Sequence, residues 1–293
     1  MQSFCNVYCI IKYMRERLPE YLKRPVIDTD TTRTVRRILK NRCLNTVCEN
    51  ARCPNKNECY TKQTATFLIM GNVCTRNCRY CNIGCEKPQP LDSMEPLHVA
   101  QAVKDLGLKY SVITSVTRDD LPDGGASHFA ECITNIKKLA PDDRIEILTP
   151  DFKGNKDSLN TIINAHPDVF NHNIETVRSV FKIARPQGNY DMSLEILKYV
   201  KDNSDIITKS GLMVGLGETY EDIEHTLSDL KNSGCDIVTI GQYIQPSKQH
   251  LPVAKYYTPE EFKELEKLAE KCGIFHYQIA PLVRSSYRAS ELV

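Results

Sequence analysis

From Thr66 onwards, short apolar runs alternate along the chain with longer stretches in which apolar residues recur at helical spacing. The apolar runs predict six strands, at 66–70, 110–116, 145–150, 168–175, 211–216 and 236–244. The stretches between and after them predict helices at 95–106, 127–139, 156–164, 190–203, 219–233 and 259–272. Because the strand runs are continuously apolar rather than alternating, they are typical of strands that are covered on both faces.

Repeated alternation of strand and helix predicts a parallel sheet with right-handed crossovers. Six units are fewer than the eight of a closed barrel, so we predict an α/β protein with a partial, open (β/α)6 barrel. Ligands of such sheets bind at the carboxyl ends of the strands. Polar and glycine-rich segments lie at the ends of the first, second, fourth and fifth predicted strands, namely "CTRNCRYC", "TRDDLPDGG", "HNIET" and "GLGET".

The segments on either side of the predicted barrel have a different character. Residues 12–24, "KYMRERLPEYLKR", predict a helix that ends at Pro25, whereas residues 31–66 are polar, rich in Asn and Cys, and without clear periodicity. We therefore expect 31–66 to be irregular and to be organised by its cysteines. The predicted division is an N-terminal extension over 1–65, a barrel over 66–275 and a C-terminal tail over 276–293.

Composition excludes several classes of function. With 38 basic and 37 acidic residues among 293, the chain has no overall charge that would attract nucleic acid or a membrane surface. No stretch approaches the roughly 20 apolar residues of a transmembrane helix. The start, "MQSFCNVYCIIKYM", lacks the basic segment and the cleavage site of a secretory signal, so a cytoplasmic protein is expected.

Cysteines are the chemically informative residues of this sequence. There are 13 of them, an odd number, and two groups of three lie between positions 48 and 81. This concentration, in a chain without a secretory signal, predicts metal or cluster binding rather than a disulfide framework. Cys48, Cys53 and Cys59 are here called the first triplet, and Cys74, Cys78 and Cys81 the second triplet. A tetrahedral site takes four ligands, so each triplet lacks one.

The second triplet has the spacing C-x3-C-x2-C on the loop after the first predicted strand. Three thiolates suit either a structural zinc site or a [4Fe–4S] cluster with one iron left open. The spacing, with the aromatic Tyr80 before the last cysteine, resembles the radical S-adenosylmethionine enzymes. The resemblance implies that S-adenosylmethionine chelates the open iron through its amino and carboxylate groups and is cleaved by electron transfer to a 5′-deoxyadenosyl radical.

The same resemblance implies residues that bind this cofactor. The segment "SGLMVGLGET" would lie against the adenosine, where Gly215 and Gly217 leave room for close approach of the backbone. Asn173 and Glu175 would reach the amino group or the ribose, and Arg185 would reach the carboxylate. For each of these polar residues, a satisfied position in the core is the alternative.

The first triplet has the uncommon spacing C-x4-C-x5-C, and the tail carries "RSSY" at 284–287. Together with the second triplet, these motifs resemble the lipoyl synthase family, and the resemblance extends from about Leu18 to Ala289. It includes "LNTVCENARCPN", "TSVTRDDLPDGGA", "PDFKG", "NHNIETV", "SGLMVGLGET", "QPSKQHLPV" and "PLVRSSY". The resemblance implies an auxiliary [4Fe–4S] cluster on the first triplet. Its fourth ligand would be Ser286, with Ser285 as the second choice, and Arg284 would orient the tail or the substrate.

The activity implied by this resemblance is that of a sulfurtransferase. Two sulfur atoms from the auxiliary cluster are inserted at C6 and C8 of an octanoyl chain on a lysine of a carrier domain, and two S-adenosylmethionine molecules are consumed. The implied partners are octanoylated E2 subunits of 2-oxoacid dehydrogenases, the glycine cleavage H protein, and an electron donor such as ferredoxin or flavodoxin. Neither nucleic acid nor a membrane is expected. The alternatives are a sulfur-inserting enzyme similar to biotin synthase and a zinc-stabilised binding module.

Two further cysteines lie beside the triplets. Spacing and the softness of thiolate favour Cys43 as the fourth ligand of the first triplet, whereas the resemblance favours Ser286. Cys85 would block the cofactor if it completed the second triplet, so a free thiol is expected there. The remaining cysteines are expected to be ordinary small apolar residues: Cys5, Cys9, Cys132, Cys235 and Cys272. Two positions depart from the family, namely Thr117, where aspartate is common, and Ala280, where glycine is frequent.

Overall fold

The computed structural model describes residues 18–25, 29–62 and 64–293. The predicted helix over 12–24 lies partly outside this range, and its described part contains one short 3-10 turn, Glu20–Leu22. Cys5 and Cys9 also lie outside the described residues. Both cysteine triplets and the whole tail lie inside them.

The strands are β1 (Asn45–Thr46), β2 (Thr66–Ile69), β3 (Val73–Cys74), β4 (Gly84–Cys85), β5 (Tyr110–Ser115), β6 (Arg144–Leu148), β7 (Val169–Asn171), β8 (Ile207–Val214), β9 (Ile237–Gln242) and β10 (Tyr277–Ile279). The α-helices are α1 (Asp30–Asn41), α2 (Val47–Asn50), α3 (Lys56–Thr61), α4 (Glu95–Leu106), α5 (Ala126–Leu139), α6 (Lys156–Ala165), α7 (Arg178–Ala184), α8 (Tyr190–Asn203), α9 (Tyr220–Asn232) and α10 (Pro259–Lys271). Two further 3-10 turns are Phe152–Gly154 and Ala289–Glu291. Among the described helices, none is long and apolar enough to span a bilayer.

Most of the strands form one sheet, in the order β1-β2-β5-β6-β7-β8-β9-β10, while β3 pairs with β4 in a separate ladder. From β2 to β10 every neighbouring pair is parallel, whereas β1 runs antiparallel to β2. Within the described chain β1 and β10 do not pair with each other, so the sheet is open. All six predicted strands are present, and the predicted α/β architecture with an open, parallel sheet is confirmed.

The sequence pattern does not reveal the two strands at the edges of the sheet. With two residues in β1 and three in β10, these strands are too short for apolar periodicity to be recognised. The pattern also misses α7, whose seven residues make fewer than two turns. Both edge strands lie outside the predicted barrel limits of 66–275, so the sheet continues into the two flanking segments.

The prediction that 31–66 is irregular is wrong, because α1, α2 and α3 lie largely within it. Thr29 caps α1: its hydroxyl accepts the N–H of Thr32, and the Thr32 hydroxyl accepts the N–H of Thr29. Thr32, Val35 and Leu39 are buried on one face, at the spacings expected of a helix. This face is hard to recognise in the sequence because a polar threonine occupies one of its positions.

The strands of the sheet are buried, as their continuous apolar composition predicts. Every residue of β2 and of β9 is buried. A buried ion pair lies among them, with Lys209 Nζ 2.9 Å from Glu146 Oε2. Asn171 and Tyr110 donate to the same carboxylate at 3.0 and 2.6 Å. Because these side chains come from β5, β6, β7 and β8, the network ties four successive strands together.

Candidate active site

The second triplet lies on the loop that leaves the carboxyl end of β2. Cys74 is the last residue of β3, and Cys78 and Cys81 follow in the segment before β4. The backbone N–H groups of Arg76 and Thr117 donate to Cys74 Sγ at 3.4 and 3.3 Å. These two donors hold the Cys74 sulfur in place at the start of the loop.

Hydrogen bonds to distant segments fix this loop in place. The N–H of Arg79 donates to the carbonyl of Ala184 at the end of α7, and the N–H of Leu251 donates to the carbonyl of Arg79, both at 2.9 Å. His250 Nε2 donates to the carbonyl of Cys81, also at 2.9 Å. The segment that carries the last two cysteines of the second triplet is therefore held on both sides.

Arg76, inside the second triplet, anchors the loop through two carboxylates. Its guanidinium donates to Asp119 at 2.7 and 2.8 Å and to Asp151 at 2.5 and 2.7 Å. The side chains of Arg76 and Asp151 are only 5% and 3% exposed, so removal of Arg76 would take the hydrogen-bonded partner from a buried carboxylate, and removal of Asp151 would leave the buried guanidinium with Asp119 alone. Burial acts to raise the pKa of the Asp151 carboxyl, but the hydrogen bonds and the charge of Arg76 outweigh it and lower that pKa to about 2.

Tyr80, Glu175 and Arg185 lie beside Cys78, so the structure brings four of the predicted site residues together. Burial raises the pKa of the Cys78 thiol, and the nearby charge of Arg185 opposes this rise. Burial also raises the pKa of the Glu175 carboxyl, against the charge of Arg185 and hydrogen bonds from Asn173 and Tyr80. Arg185 affects the pKa values of both Cys78 and Glu175 because its charge lies close to both groups.

Arg185 provides a test of whether this site fits the expected cofactor. Its Nη1 atom is buried and has no hydrogen-bond partner among the described residues, although its Nη2 atom lies 3.7 Å from Asp151 Oδ2. A buried guanidinium N–H without an acceptor is costly. A carboxylate bound beside Cys78 would satisfy this donor, which fits the predicted role of Arg185 towards S-adenosylmethionine.

Gly211, in β8, is a site residue that the sequence analysis did not single out. A methyl group at this position would lie 2.7 Å from Thr239 Oγ1 and 2.9 Å from both Asn173 Oδ1 and Ser285 Oγ. The N–H of Glu175 also donates to the Gly211 carbonyl at 2.9 Å. Any side chain here would displace the polar groups that meet beside the middle of β8, so only glycine fits.

Gly215 and Gly217 follow β8 and take φ values of +101° and +112°. A methyl group at Gly215 would meet Gln242 and the carbonyl of Lys255, which are atoms of this chain. At Gly217 the nearest atom would be Ala254 Cβ, at 3.9 Å. The positive φ values explain why both residues are glycine, and their contact with a cofactor stays a prediction.

The first triplet is gathered by two short helices. Cys48 lies in α2, Cys59 lies in α3, and the N–H of Cys53 donates to the carbonyl of Cys48 at 3.2 Å. Burial raises the pKa of the Cys48 thiol to about 12 and that of the Cys59 thiol to about 11, and the proximity of Cys53 adds to both rises. Metal binding here must therefore displace protons from the thiols.

A cavity of about 470 Å³ brings the first triplet together with the tail. All three cysteines line it, and so do Arg284 and Ser286. Burial lowers the pKa of the Arg284 guanidinium, while the proximity of Cys53 acts to raise it. A cation of this kind favours anionic ligands in the cavity. Three thiols, a hydroxyl and a positive charge form a donor set that fits an iron–sulfur cluster.

The tail is held over this cavity by side chains of the N-terminal extension. Asn55 Nδ2 donates to the carbonyl of Leu282 at 2.7 Å. Glu58 Oε1 accepts from Tyr287 Oη at 2.9 Å and from Arg288 Nη2 at 3.0 Å. Asn55 and Glu58 lie between Cys53 and Cys59, so the segment that carries these cysteines also binds the tail.

Gly241, in β9, lets the tail approach the sheet. A methyl group at this position would clash with the carbonyl of Val283 and would lie 3.2 Å from Arg284 Nη1. The N–H of the next residue, Gln242, donates to the carbonyl of Pro281 at 3.1 Å. The backbone of the tail therefore packs directly on β9, just before the two serines.

The adjacent serines of the tail face different neighbours. Ser285 Oγ donates to Asn173 Oδ1 at 2.9 Å, on the side of Glu175 and the second triplet. Ser286 Oγ accepts from Thr66 Oγ1 at 2.9 Å and lines the cavity of the first triplet. This arrangement supports Ser286, rather than Ser285, as the partner of the first triplet.

The two cysteines beside the triplets are both exposed. Cys43 lies just after α1, has a φ of +53° and is not among the residues that line the cavity of the first triplet. Cys85 lies in β4, where it is paired with Cys74 of β3. The spacing argument for Cys43 therefore finds no support in the geometry of the cavity.

The two departures from the family act through the backbone. The N–H of Thr117 donates to Cys74 Sγ, and its carbonyl accepts from the N–H of Thr75 at 3.0 Å. The N–H of Ala280 donates to the carbonyl of Ile240 at 3.2 Å. These contacts are made by backbone atoms, so they do not depend on the identity of either side chain. Cys132 and Cys235 are buried as predicted, whereas Cys272 is half-buried.

Among the described residues, no three His, Cys, Asp or Glu side chains are arranged to share one metal ion. The sulfurs of a cluster site have no need to meet at one point, because each thiolate binds a different iron. The sequence does not reveal the residues that hold the cysteine loops and the tail in place or leave room for them: Asn55, Glu58, Thr66, Arg76, Asp119, Asp151, Gly211 and Gly241. Several of them lie within the quoted motifs, but their partners are far away in sequence.

Comparison with known proteins identifies the family. The model of the Radical SAM superfamily matches residues 68–230. A lipoyl synthase of Caldanaerobacter subterraneus subsp. tengcongensis is 52% identical over 94% of this chain and 97% of its own length. A lipoyl synthase of Caldicellulosiruptor bescii is 53% identical over 92% of this chain and 94% of its own length.

Solved structures share the fold. HydG, a maturase of the [FeFe]-hydrogenase, superposes with a TM-score of 0.55 at 16% identity, over 84% of this chain and 55% of that chain. Coproporphyrinogen III oxidase of Escherichia coli, a radical SAM enzyme, gives a TM-score of 0.53 at 14% identity, over 73% of this chain and 55% of that chain. Since about half of its residues are identical to those of curated relatives over nearly the whole length, the chain belongs to the lipoyl synthase family within the radical SAM superfamily.

Proposed function

We propose that this chain inserts sulfur at C6 and C8 of an octanoyl group on a lysine of a carrier domain, and that an auxiliary [4Fe–4S] cluster on the first triplet is the sulfur donor. Membership of the lipoyl synthase family establishes part of this function: the chain is a sulfur-inserting enzyme that uses a [4Fe–4S] cluster and S-adenosylmethionine on a protein-bound octanoyl group. One observation supports the proposed auxiliary cluster on the first triplet, namely the cavity that Ser286 lines together with the three cysteines.

The second triplet would hold the cluster that binds S-adenosylmethionine. Its three thiols leave one iron open, and Arg185 offers an unpaired buried N–H for a carboxylate. When bound, this pair of cofactors supplies a carbon radical able to take hydrogen from a methylene, which has no acidity for a base to exploit. The chain therefore needs no general base at this site.

The side chains around Cys78 bind and orient. Arg185 would donate to the carboxylate of the cofactor, and the oxygens of Asn173 and Glu175 would accept from its ammonium or ribose groups. Gly211 keeps the neighbouring wall free of a side chain. Arg76 anchors the loop through two carboxylates, which would keep the loop in place before a cluster binds.

The first triplet would hold the auxiliary cluster, with Ser286 as its fourth ligand and Arg284 as a nearby positive charge. An alkoxide is a harder ligand than a thiolate and matches iron less well, which suits a cluster that must release sulfur. Each of the three predicted segments of the chain would then have its own role. The extension over 1–65 supplies three ligands, the barrel over 66–275 carries the radical chemistry, and the tail over 276–293 supplies the fourth ligand.

The proposed carriers are the lipoyl domains of 2-oxoacid dehydrogenase E2 subunits and the glycine cleavage H protein, and the proposed electron donor is a ferredoxin or flavodoxin. An enzyme similar to biotin synthase and a zinc-stabilised module are both disfavoured. The relatives that match almost the full length are lipoyl synthases, and the tail serine has no role in either alternative.

The test uses protein whose clusters are rebuilt with heavy-isotope sulfide. It is incubated without oxygen with an octanoylated carrier peptide, S-adenosylmethionine and dithionite, and the peptide is analysed by mass spectrometry. We expect a peptide that carries two heavy sulfur atoms. Cys43→Ala is the matched control and should give the same product. Light sulfur in the product would show that the clusters are not the donor, and an unchanged peptide would overturn the proposed reaction.

A further inference from the structure

The short ladder between β3 and β4 places two cysteines side by side. Val73 is paired with Gly84, and Cys74 is paired with Cys85, in parallel register. Cys74 belongs to the second triplet and is half-buried, whereas Cys85 is exposed and belongs to neither triplet. The loop between the two strands contains the other two cysteines of the second triplet, so the ladder closes the base of the loop.

Register decides whether two cysteines are able to join. Paired residues of neighbouring strands point their side chains to the same face, and the strands lie about 4.8 Å apart. Disulfides join residues whose Cα atoms are about 4.4–6.8 Å apart. The parallel pairing of Cys74 with Cys85 thus implies a Cα separation within the range of disulfides. Among the described cysteines, no other is paired with Cys74 in a strand ladder.

We propose that Cys74 and Cys85 form a reversible disulfide when the second triplet holds no cluster. Hydrogen peroxide is the oxidant. One thiolate attacks it, which gives a sulfenic acid and releases water after proton transfer. The second thiolate attacks the sulfenic sulfur, forms the S–S bond and releases a second water. The two thiols lose two electrons and two protons in total, and a dithiol reductant restores them by thiol–disulfide exchange.

The consequence rests on the proposed function, because it requires Cys74 to be a cluster ligand. While the disulfide exists, the loop offers only two thiolates, and a cluster cannot be loaded. The disulfide also keeps the Cys74 sulfur from further oxidation to sulfinic acid, which thiols do not reverse. Cys85 thus makes loading of the second triplet depend on a reducing environment and preserves the site through oxidation.

Peptide mapping of the cluster-free, full-length chain tests the disulfide itself. The chain is treated with hydrogen peroxide, alkylated and digested without reductant, next to Cys85→Ala and, as a matched control, the exposed-cysteine variant Cys43→Ala. We expect the Cys74 and Cys85 peptides of the unmodified chain and of Cys43→Ala to be joined, with the mass of two hydrogens lost. Joining of Cys74 to Cys78 or Cys81, or alkylation of both Cys74 and Cys85, would overturn the proposal.

A second measurement tests the protective role. After peroxide and then a dithiol, the unmodified chain should take up iron and sulfide at the second triplet as before, whereas Cys85→Ala should recover about tenfold less, with Cys74 found as sulfinic acid. Equal recovery would exclude protection. In cluster-loaded protein Cys85 should remain open to alkylation, and its protection there would make it an iron ligand instead.

The two proposals fail in different ways. Never-oxidised Cys85→Ala, once loaded, should form lipoyl product like the unmodified chain. If neither protein forms product while the disulfide is mapped as expected, the proposed reaction is wrong and the disulfide stands.

Discussion

The two cysteine triplets are similar in number of ligands and different in how the fold supports them. The second triplet lies on one continuous loop, which Arg76 anchors through two carboxylates. The first triplet is spread over two short helices, and a tail from the far end of the chain closes its cavity. The tail is held at its rim by Glu58, whose side chain is 29% exposed. The second triplet is thus supported by buried ion pairs, and the first triplet is closed by hydrogen bonds near the surface.

The energies of these supports differ as much as their positions. Removing one partner of a buried ion pair costs about 3–5 kcal/mol, since it leaves a charge without a partner. A hydrogen bond near the surface contributes only about 0.5–1.5 kcal/mol. The site proposed to keep its cluster through many turnovers thus has the stronger support. The site proposed to give up its sulfur has a closure that is easier to open.

The sharpest test of this contrast compares one cysteine from each triplet. Cys78→Ala should abolish formation of 5′-deoxyadenosine, and lipoyl product with it, because the radical cluster loses a ligand. Cys53→Ala should retain measurable 5′-deoxyadenosine and form no lipoyl product. Both products are quantified by mass spectrometry in the same reaction. Lipoyl product from Cys53→Ala would show that the first triplet is not the source of sulfur.

Ser286→Ala should have the next largest effect, because it removes the proposed fourth ligand without touching a cysteine. We expect much of the iron to remain and lipoyl formation to fall by about 10- to 100-fold, as losses of metal-site partners do. Cys43→Ala should keep full iron content and full activity. Iron analysis and product mass on the two variants decide between the candidates, and loss of the auxiliary cluster in Cys43→Ala alone would reverse the assignment.

Asp151→Asn tests the support of the second triplet. The native pKa of about 2 is below the ordinary value, so Asp151 stabilises the fold above about pH 4, and this contribution is lost as the pH falls through 2. Because Arg76 keeps Asp119 as a partner, the loss should be smaller than for a fully unpaired charge: the variant should unfold with about 2 kcal/mol less free energy at pH 7, and the difference should shrink as the pH approaches 2. Urea unfolding of the cluster-free proteins measures it.

The matched control for this test is Asp142→Asn. Asp142 lies 3.6 Å from Lys109, and both side chains are exposed, so the free energy of unfolding should change by less than about 0.5 kcal/mol. An equal loss in both variants would mean that the ion pairs of Arg76 give the loop no special support.

The smallest expected effect concerns the rim of the first site. Tyr287→Phe removes one hydrogen bond to Glu58 and should make opening of the tail easier by about 1 kcal/mol. Hydrogen exchange of peptides covering 280–291 should then be about fivefold faster. Tyr277→Phe, which removes a hydrogen bond to Glu270 outside the cavity, is the control and should leave exchange of the tail unchanged.

Sequence reasoning was most accurate where the signal is local. The strands of the sheet are continuous apolar runs, and the cysteine spacings are short motifs, so both are visible in the sequence. β10 and α1 were missed for local reasons as well, since β10 has only three residues and α1 buries a threonine where an apolar residue is expected. The fold class was predictable because six repeats of the pattern outweigh such exceptions.

The contacts that support the site were not predictable, because they join residues that only the order of strands brings together. Arg76 contacts carboxylates 43 and 75 residues away. In the same way, spacing favoured Cys43 for the first triplet, whereas the structure brings Ser286 into the cavity from 220 residues beyond Thr66. Local spacing reports what is near along the chain, and the cavity depends on what is near in space.

The position of Ser286 in the tail also sets an order of events during synthesis. All three cysteines of the second triplet are present once 81 of the 293 residues have been made, but Ser286 is added 220 residues after Thr66. At about 5–20 residues per second, this interval lasts about 10–45 s. During that time the three cysteines of the first triplet are present without Ser286, their proposed fourth partner. The three cysteines of the second triplet are thus present early in translation and await only their supporting contacts, whereas the proposed ligand set of the first triplet is complete only when the tail has been made.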